Sequence, residues 1–205
     1  DLYDDRYEWQ ASDEYDDFRV VYEHVSDDYD CEIMKWAELR LLAGGSTAAV
    51  GSYGGDCINR LVRNLDEPSD ASHIEGYDLY YTASRVTSKW DEDEAAELVE
   101  EVESGATDAV FFHVAEGIEG SVRHELDYAF DVGLSGPGFG FIHATDATAG
   151  QLARMAEEGT TLVWSPRSNI DLYAATASVE VARRLNAPIV MNTNLLSDEE
   201  IQILK

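Results

Sequence analysis

The sequence predicts an α/β fold, a (β/α)8 TIM-like barrel that this chain covers incompletely, and three observations point there. Stretches with apolar residues three and four apart alternate with short apolar runs, the rhythm of β/α units around a parallel sheet. Several of these runs lie roughly 20 to 30 residues apart with a helical stretch between, the spacing barrel units need. Polar residues suited to chemistry stand at the C-terminal ends of several different runs, where barrels build their sites. A doubly wound open sheet is the competing architecture, and the placement of those polar residues favours the barrel. No glycine-rich phosphate loop follows any run: Gly54-Gly55 and the stretch 133–140 lack the required spacing.

In chain order, residues 1–30 are rich in Asp and Tyr without a clean period and read as an irregular lead-in segment, with 1–205 a single domain. Helices are expected near 32–43, 91–103, 120–132, 147–158 and 178–185. The clearest is 91–103, where Asp91, Glu92 and Asp93 crowd the positive end of the helix dipole and Gly105 stops the helix. Strands are expected at 47–51, 78–82, 109–114, 139–143, 161–164 and 188–192, each a short apolar run.

Composition limits the partners. Of 205 residues, 42 are Asp or Glu and 14 are Lys or Arg, a net charge of −28 with a pI near 4.2. Such a surface repels polyanions, which excludes nucleic acid and disfavours an anionic membrane. Apolar residues still make up 44%, enough to build a core. The acids are spread along the chain, a composition that resembles proteins of salt-loving organisms, in which concentrated salt screens the self-repulsion. No run of about 18 apolar residues occurs, so a soluble, cytoplasmic protein is expected. The first residue is Asp1 rather than Met, which suggests a start inside a longer chain. Cys31 and Cys57 read as buried thiols in a reducing compartment.

The sharpest chemical signal is Phe111-Phe112-His113-Val114-Ala115-Glu116, an apolar run ending in a histidine with a glutamate three positions on. A neutral imidazole can hold a metal such as zinc, and a nearby carboxylate can relay protons; a strand-end His bonded to a backbone carbonyl is the plainer alternative. His143 ends the next run, so the two imidazoles can converge on one rim. His24, His73 and His124 stand in surface-like surroundings. The third element is Ser165-Pro166-Arg167-Ser168-Asn169, read as a Pro-fixed loop whose short polar side chains reach over the barrel mouth or cap the following helix.

Together these elements resemble the amidohydrolase superfamily, in particular its cytosine-deaminase-like and chlorohydrolase-like branch. The His-x-Ala-Glu segment after barrel strand five is matched by His113 to Glu116 and the strand-six His by His143. The Ser/Cys-Pro-x-Ser-Asn-x-x-Leu segment after strand seven is matched by Ser165 to Leu172. The resemblance runs from about Cys31 to the C-terminus and is strongest over 107–195. It implies that His113 is a metal ligand, that Glu116 is the proton shuttle, and that His143 holds the attacking water or polarises the substrate. Arg167, Ser168 and Asn169 would sit near the substrate. It further implies a divalent cofactor, zinc before iron, which makes water nucleophilic near neutral pH, and hydrolysis of a carbon–nitrogen bond in a small-molecule substrate.

Two departures accompany the resemblance. The family's His-x-His pair on strand one has no counterpart, so the first strand is expected to be missing. The metal-binding Asp that ends strand eight is replaced by Asn194, whose amide oxygen can coordinate weakly but accepts no proton. Weak metal affinity and no appreciable turnover by this stretch alone are therefore expected. A barrel lacking a strand also has two unpaired edges, which favours association between copies. Three readings stand: a metal-dependent hydrolase, a non-catalytic relative that keeps the pocket for binding a small molecule, and a structural or interaction domain whose histidines are incidental.

Overall fold

The computed structural model of the chain describes residues 2–50, 61–67, 72–82, 84, 86–120 and 122–191. They fall into two compact units, one made of the first nine residues with those from Leu79 onward, the other of Gln10–Asp78.

Helix α1 (Arg6–Gln10) leads to α2 (Asp13–Ala43), the main element of the Gln10–Asp78 unit. Ser12 caps α2 by accepting the Tyr15 N–H at 3.2 Å, and Asp13, Glu14 and Asp16 fill the first turn. The helix kinks at Tyr29, where φ is −136°. The irregular lead-in expected over 1–30 is therefore corrected to helix. The residues that hid it, Val20, Val21, Tyr29, Trp36 and Leu39, are exposed and draw no apolar stripe along one face. Strands β1 (Ala48–Ala49) and β2 (Arg63–Asn64) pair in parallel in this unit, so the run at 47–51 does not join the main sheet. Cys31 is disulfide-bonded, which corrects its reading as a free thiol and removes its support for a reducing compartment. Cys57 lies outside the described residues. Disulfide geometry depends on spatial proximity that spacing alone does not give. No helix among the described residues is long and apolar enough to cross a membrane.

The other unit is a five-stranded parallel sheet in sequence order: β3 (Leu79–Thr82), β4 (Ala109–Val114), β5 (Phe139–His143), β6 (Thr161–Trp164) and β7 (Ile189–Met191). All five expected strands from 78 onward are present. Between them run α3 (Val86–Lys89), α4 (Glu92–Ser104), α5 (His124–Asp131), α6 (Ala149–Glu158), α7 (Pro166–Tyr173) and α8 (Val179–Arg184). The ends of α4 follow from sequence: Asp91 accepts the Asp93 and Glu94 N–H groups, Glu94 returns a bond to the Asp91 N–H, and Gly105 closes the helix in the left-handed region at φ 74°. Thr148 and Gln151 form the same reciprocal cap on α6.

The core lies on one side of the sheet. Trp90, Phe112, Phe141 and Phe130 form a chain of tilted and edge-on rings with centroids 5.1–5.6 Å apart, packed against Leu98, Leu126, Leu152 and Met155. Strand pairing sets Phe112 beside Phe141 on that side and Phe111 beside Gly140 on the other. A methyl group at Gly140 would stand 2.5 Å from the Phe111 ring, so the glycine makes room for Phe111.

Candidate metal centre

His113 lies one residue before the end of β4, on the face of the sheet away from the aromatic core. Its strand partner is Ile142, while the partner of Val114 is His143. Paired residues of parallel strands point to the same face, so strict alternation would send His143 to the core side with Val114. The backbone breaks that alternation: His143 has φ 70°, Ala144 φ 45°, and Ala115, in the turn after β4, φ 49°. Left-handed non-glycine residues cost of order 1–3 kcal/mol each and persist where surrounding bonds hold them. Here the Ala144 and Thr145 N–H groups donate to the Val114 and Ala115 carbonyls, both at 3.0 Å, locking the two strand-end turns together. The His113 and His143 rings end 5.1 Å apart between centroids.

Both imidazoles are held from behind by an acceptor. His113 Nδ1 lies 3.2 Å from the Thr82 carbonyl oxygen, and His143 Nδ1 lies 2.5 Å from Asn169 Oδ1. An oxygen of either kind can only accept, so each Nδ1 carries a proton and Nε2 is the ring atom left for a ligand. His143 Nε2 faces Glu116 Oε1 at 3.5 Å. Among the described residues, His113, Glu116 and His143 form a group whose ligand atoms lie within 4.8 Å of one another.

Glu116 is buried. It accepts the Tyr173 hydroxyl at Oε1 at 3.0 Å, and its Oε2 lies 3.4 Å from Arg6 Nε, with both side chains nearly closed to solvent. The N-terminal segment is stitched across this turn: the Arg6 N–H donates to the Glu116 carbonyl, the Ile118 N–H to the Asp4 carbonyl, and Asp5 bridges Gly117. Burial pushes the Glu116 carboxyl up, but His143, Arg6, His113 and the Tyr173 hydroxyl outweigh it and hold the group below the usual carboxylate range. Burial, with His143 and Arg6 adding to it, pushes His113 down to about 3 against the opposing pull of Glu116 and the Thr82 carbonyl. A neutral His113 beside an ionised Glu116 is the donor set a cation needs.

The third expected element differs from its sequence reading. Residues 166–173 are helix α7, with Pro166 in its first turn, rather than a Pro-fixed loop. Arg167 is on the exposed side, 3.5 Å from Asp171. Ser168 is buried with its hydroxyl donating to the Ser165 carbonyl, and Asn169 is fully buried behind His143. Ser168 and Asn169 are thus turned into the protein, because the helix carries both inward. Asn194 lies outside the described residues. Sequence reasoning missed Arg6, Tyr173, Thr82 and Glu125. Tyr173 carried a readable signal, standing four residues after Asn169 on one face of a helix that begins with proline.

Glu125, at 1% exposure, supports the centre from α5: it accepts the Ala115 N–H at Oε2 at 2.9 Å and the Tyr7 hydroxyl at Oε1. The strained residue between His113 and Glu116 is thereby tied to a buried carboxylate.

The chain is 33% identical over 69 residues to a 5-methylthioadenosine/S-adenosylhomocysteine deaminase of Halobacterium salinarum, a match covering 34% of this chain and 16% of the relative. Its fold is similar to that of an adenosine deaminase from Xanthomonas campestris solved with bound zinc, with a TM-score of 0.54 at 17% identity. That alignment covers 78% of this chain and 44% of the other. The chain therefore spans less than half the length of either protein. No protein-family profile matches it.

Proposed function

We propose that this chain covers part of an amidohydrolase-superfamily fold and serves a metal-dependent hydrolase acting on a carbon–nitrogen bond of a small molecule. The substrate class that the similar deaminases suggest is an amino-substituted heterocycle such as a purine nucleoside. One observation carries the reading: two imidazoles with Nδ1 tied to carbonyl oxygens stand with a buried carboxylate in one group whose ligand atoms lie within 4.8 Å of one another.

Two nitrogens and one oxygen are a donor set that suits zinc. His113 and Glu116 would hold the ion with His143. When bound, a divalent ion supplies Lewis-acid polarisation and lowers the acidity threshold of water. Glu116 then has a proton-moving role: Oε1, held by Tyr173, takes a proton from the attacking water and returns it to the leaving nitrogen. His143, fixed by Asn169, brings its Nε2 to the same group.

A second reading, a binding relative without turnover, draws on Arg6, whose guanidinium already supplies positive charge to Glu116. The two are separated by supplying the chain with zinc and an adenine nucleoside and measuring ammonia. Release above that given by zinc alone, abolished in Glu116→Gln, supports the hydrolase. Nucleoside binding without release favours the second reading, and release unchanged in Glu116→Gln overturns the role given to this carboxylate.

A further inference from the structure

We propose that Asn169 is a positioning residue that fixes His143 in the tautomer with Nδ1 protonated, so that the Nε2 lone pair is presented to the His113 and Glu116 group; the ligand role of Nε2 rests on the metal-centre reading above, whereas the tautomer does not. His143 and Asn169 are both essentially closed to solvent, at 1% and 0% exposure, so water cannot substitute for either partner. Their bond, Nδ1 to Oδ1 at 2.5 Å, is short for an N–H donor. Asn169 Nδ2 lies 3.5 Å from Thr176 Oγ1, and that hydroxyl oxygen also accepts the Trp164 Nε1–H at 2.7 Å. Rotating Asn169 by half a turn would face its NH2 group toward the imidazole and require the other tautomer, with Nε2–H aimed at Glu116.

The sequence of contacts therefore runs from Trp164 at the end of β6, through Thr176 and Asn169 of α7, to His143 at the end of β5. Each link joins a different strand or helix, which makes the orientation of His143 a property of three elements at once. His143 needs this support more than His113 does, because its left-handed backbone takes its side chain out of the alternation that places its strand neighbours. Partners of this kind behind a ligating imidazole are typically worth 10- to 100-fold in metal affinity.

The test uses the full chain, first without metal. A two-bond proton–nitrogen correlation spectrum, recorded well above the ordinary imidazole pKa of about 6.5, reads the tautomer of each histidine directly. The expected result is His143 in the Nδ1–H form in the wild type and in Asn169→Asp, which keeps an acceptor, with the Nε2–H form appearing in Asn169→Leu. Zinc titration should then give a 10- to 100-fold loss in Asn169→Leu and near-wild-type affinity in Asn169→Asp. A wild-type His143 in the Nε2–H form overturns the proposal without use of any variant, so a failure of Asn169→Leu to fold leaves it testable. If the tautomer is as stated but zinc does not bind at all, the metal-centre reading fails and the positioning role of Asn169 stands. If zinc binds equally well in Asn169→Leu and the wild type, the positioning has no bearing on the metal and its functional part is overturned.

Discussion

Arg6 Nε stands 3.4 Å from Glu116 Oε2 with both side chains withdrawn from solvent, so a guanidinium from the N-terminal segment balances the charge of the carboxylate at the candidate metal centre. Removing one partner of a buried pair leaves the other charge uncompensated, at a cost of about 3–5 kcal/mol. Arg6→Met should therefore lower the stability of the metal-free chain by about that amount in urea denaturation. Zinc, by supplying positive charge to the same carboxylate, should restore much of the loss and bind more tightly than in the wild type. Equal zinc stabilisation of variant and wild type would separate Arg6 from the site.

Gly117 sits beside Glu116 where the N-terminal segment crosses. A methyl group there would lie 2.6 Å from the Asp4 carbonyl oxygen and 2.8 Å from the Asp5 Cα, both backbone atoms that cannot swing aside. Gly117→Ala is expected to detach residues 3–6 and open that segment to protease while the β4–β6 core stays resistant. Unchanged protection of the N-terminal segment would count against the close crossing.

Glu125 holds the Ala115 N–H at 2.9 Å inside the protein. Glu125→Leu leaves that donor without a partner next to a left-handed alanine, and a destabilisation of about 1–3 kcal/mol is expected. Glu125→Gln keeps a carbonyl acceptor and should lose less. The comparison is a pair of denaturation curves, and equal losses would show that the bond to Ala115 contributes nothing.

How much of this was readable before the structure can be seen residue by residue. The five parallel strands from Leu79 onward were legible because each is a short apolar run set between helical stretches. The convergence of His113 and His143 was legible because both end such runs. Its mechanism was not: alternation along β5 points His143 the wrong way, and only the left-handed backbone at 143 and 144 redirects it. The first two thirds of helix α2 escaped, though 32–43 read as helix, because its apolar residues follow no stripe, and α7 because a proline that starts a helix looks like one that fixes a loop. Arg6 escaped for a different reason. A single arginine in an acidic segment carries no local mark of the buried carboxylate it meets, more than 100 positions away in the chain.

The pH dependence follows from His113, whose imidazole stays neutral in the folded chain down to about pH 3 but takes a proton near 6.5 when unfolded. Between those values the unfolded state binds more protons, so the stability of the metal-free chain rises with pH across that window and is lost on acidification. Glu116, held below the usual carboxylate range, adds a loss in the same direction as pH falls through its folded value. The slope from His113 is at most about 1.4 kcal/mol per pH unit. Urea midpoints measured from pH 7 down to pH 4 should fall more steeply in the wild type than in His113→Phe; parallel curves would contradict the buried neutral imidazole.

The central claim is that His113, Glu116 and His143 share one cation, and zinc titration of the metal-free chain followed by calorimetry tests it most directly. The prediction is one ion per chain, with affinity reduced at least tenfold in each of His113→Ala, Glu116→Ala and His143→Ala. Unchanged zinc uptake in a chain carrying both histidine substitutions, or none in the wild type at zinc concentrations up to about 1 mM, a binding free energy weaker than about −4 kcal/mol, would contradict it.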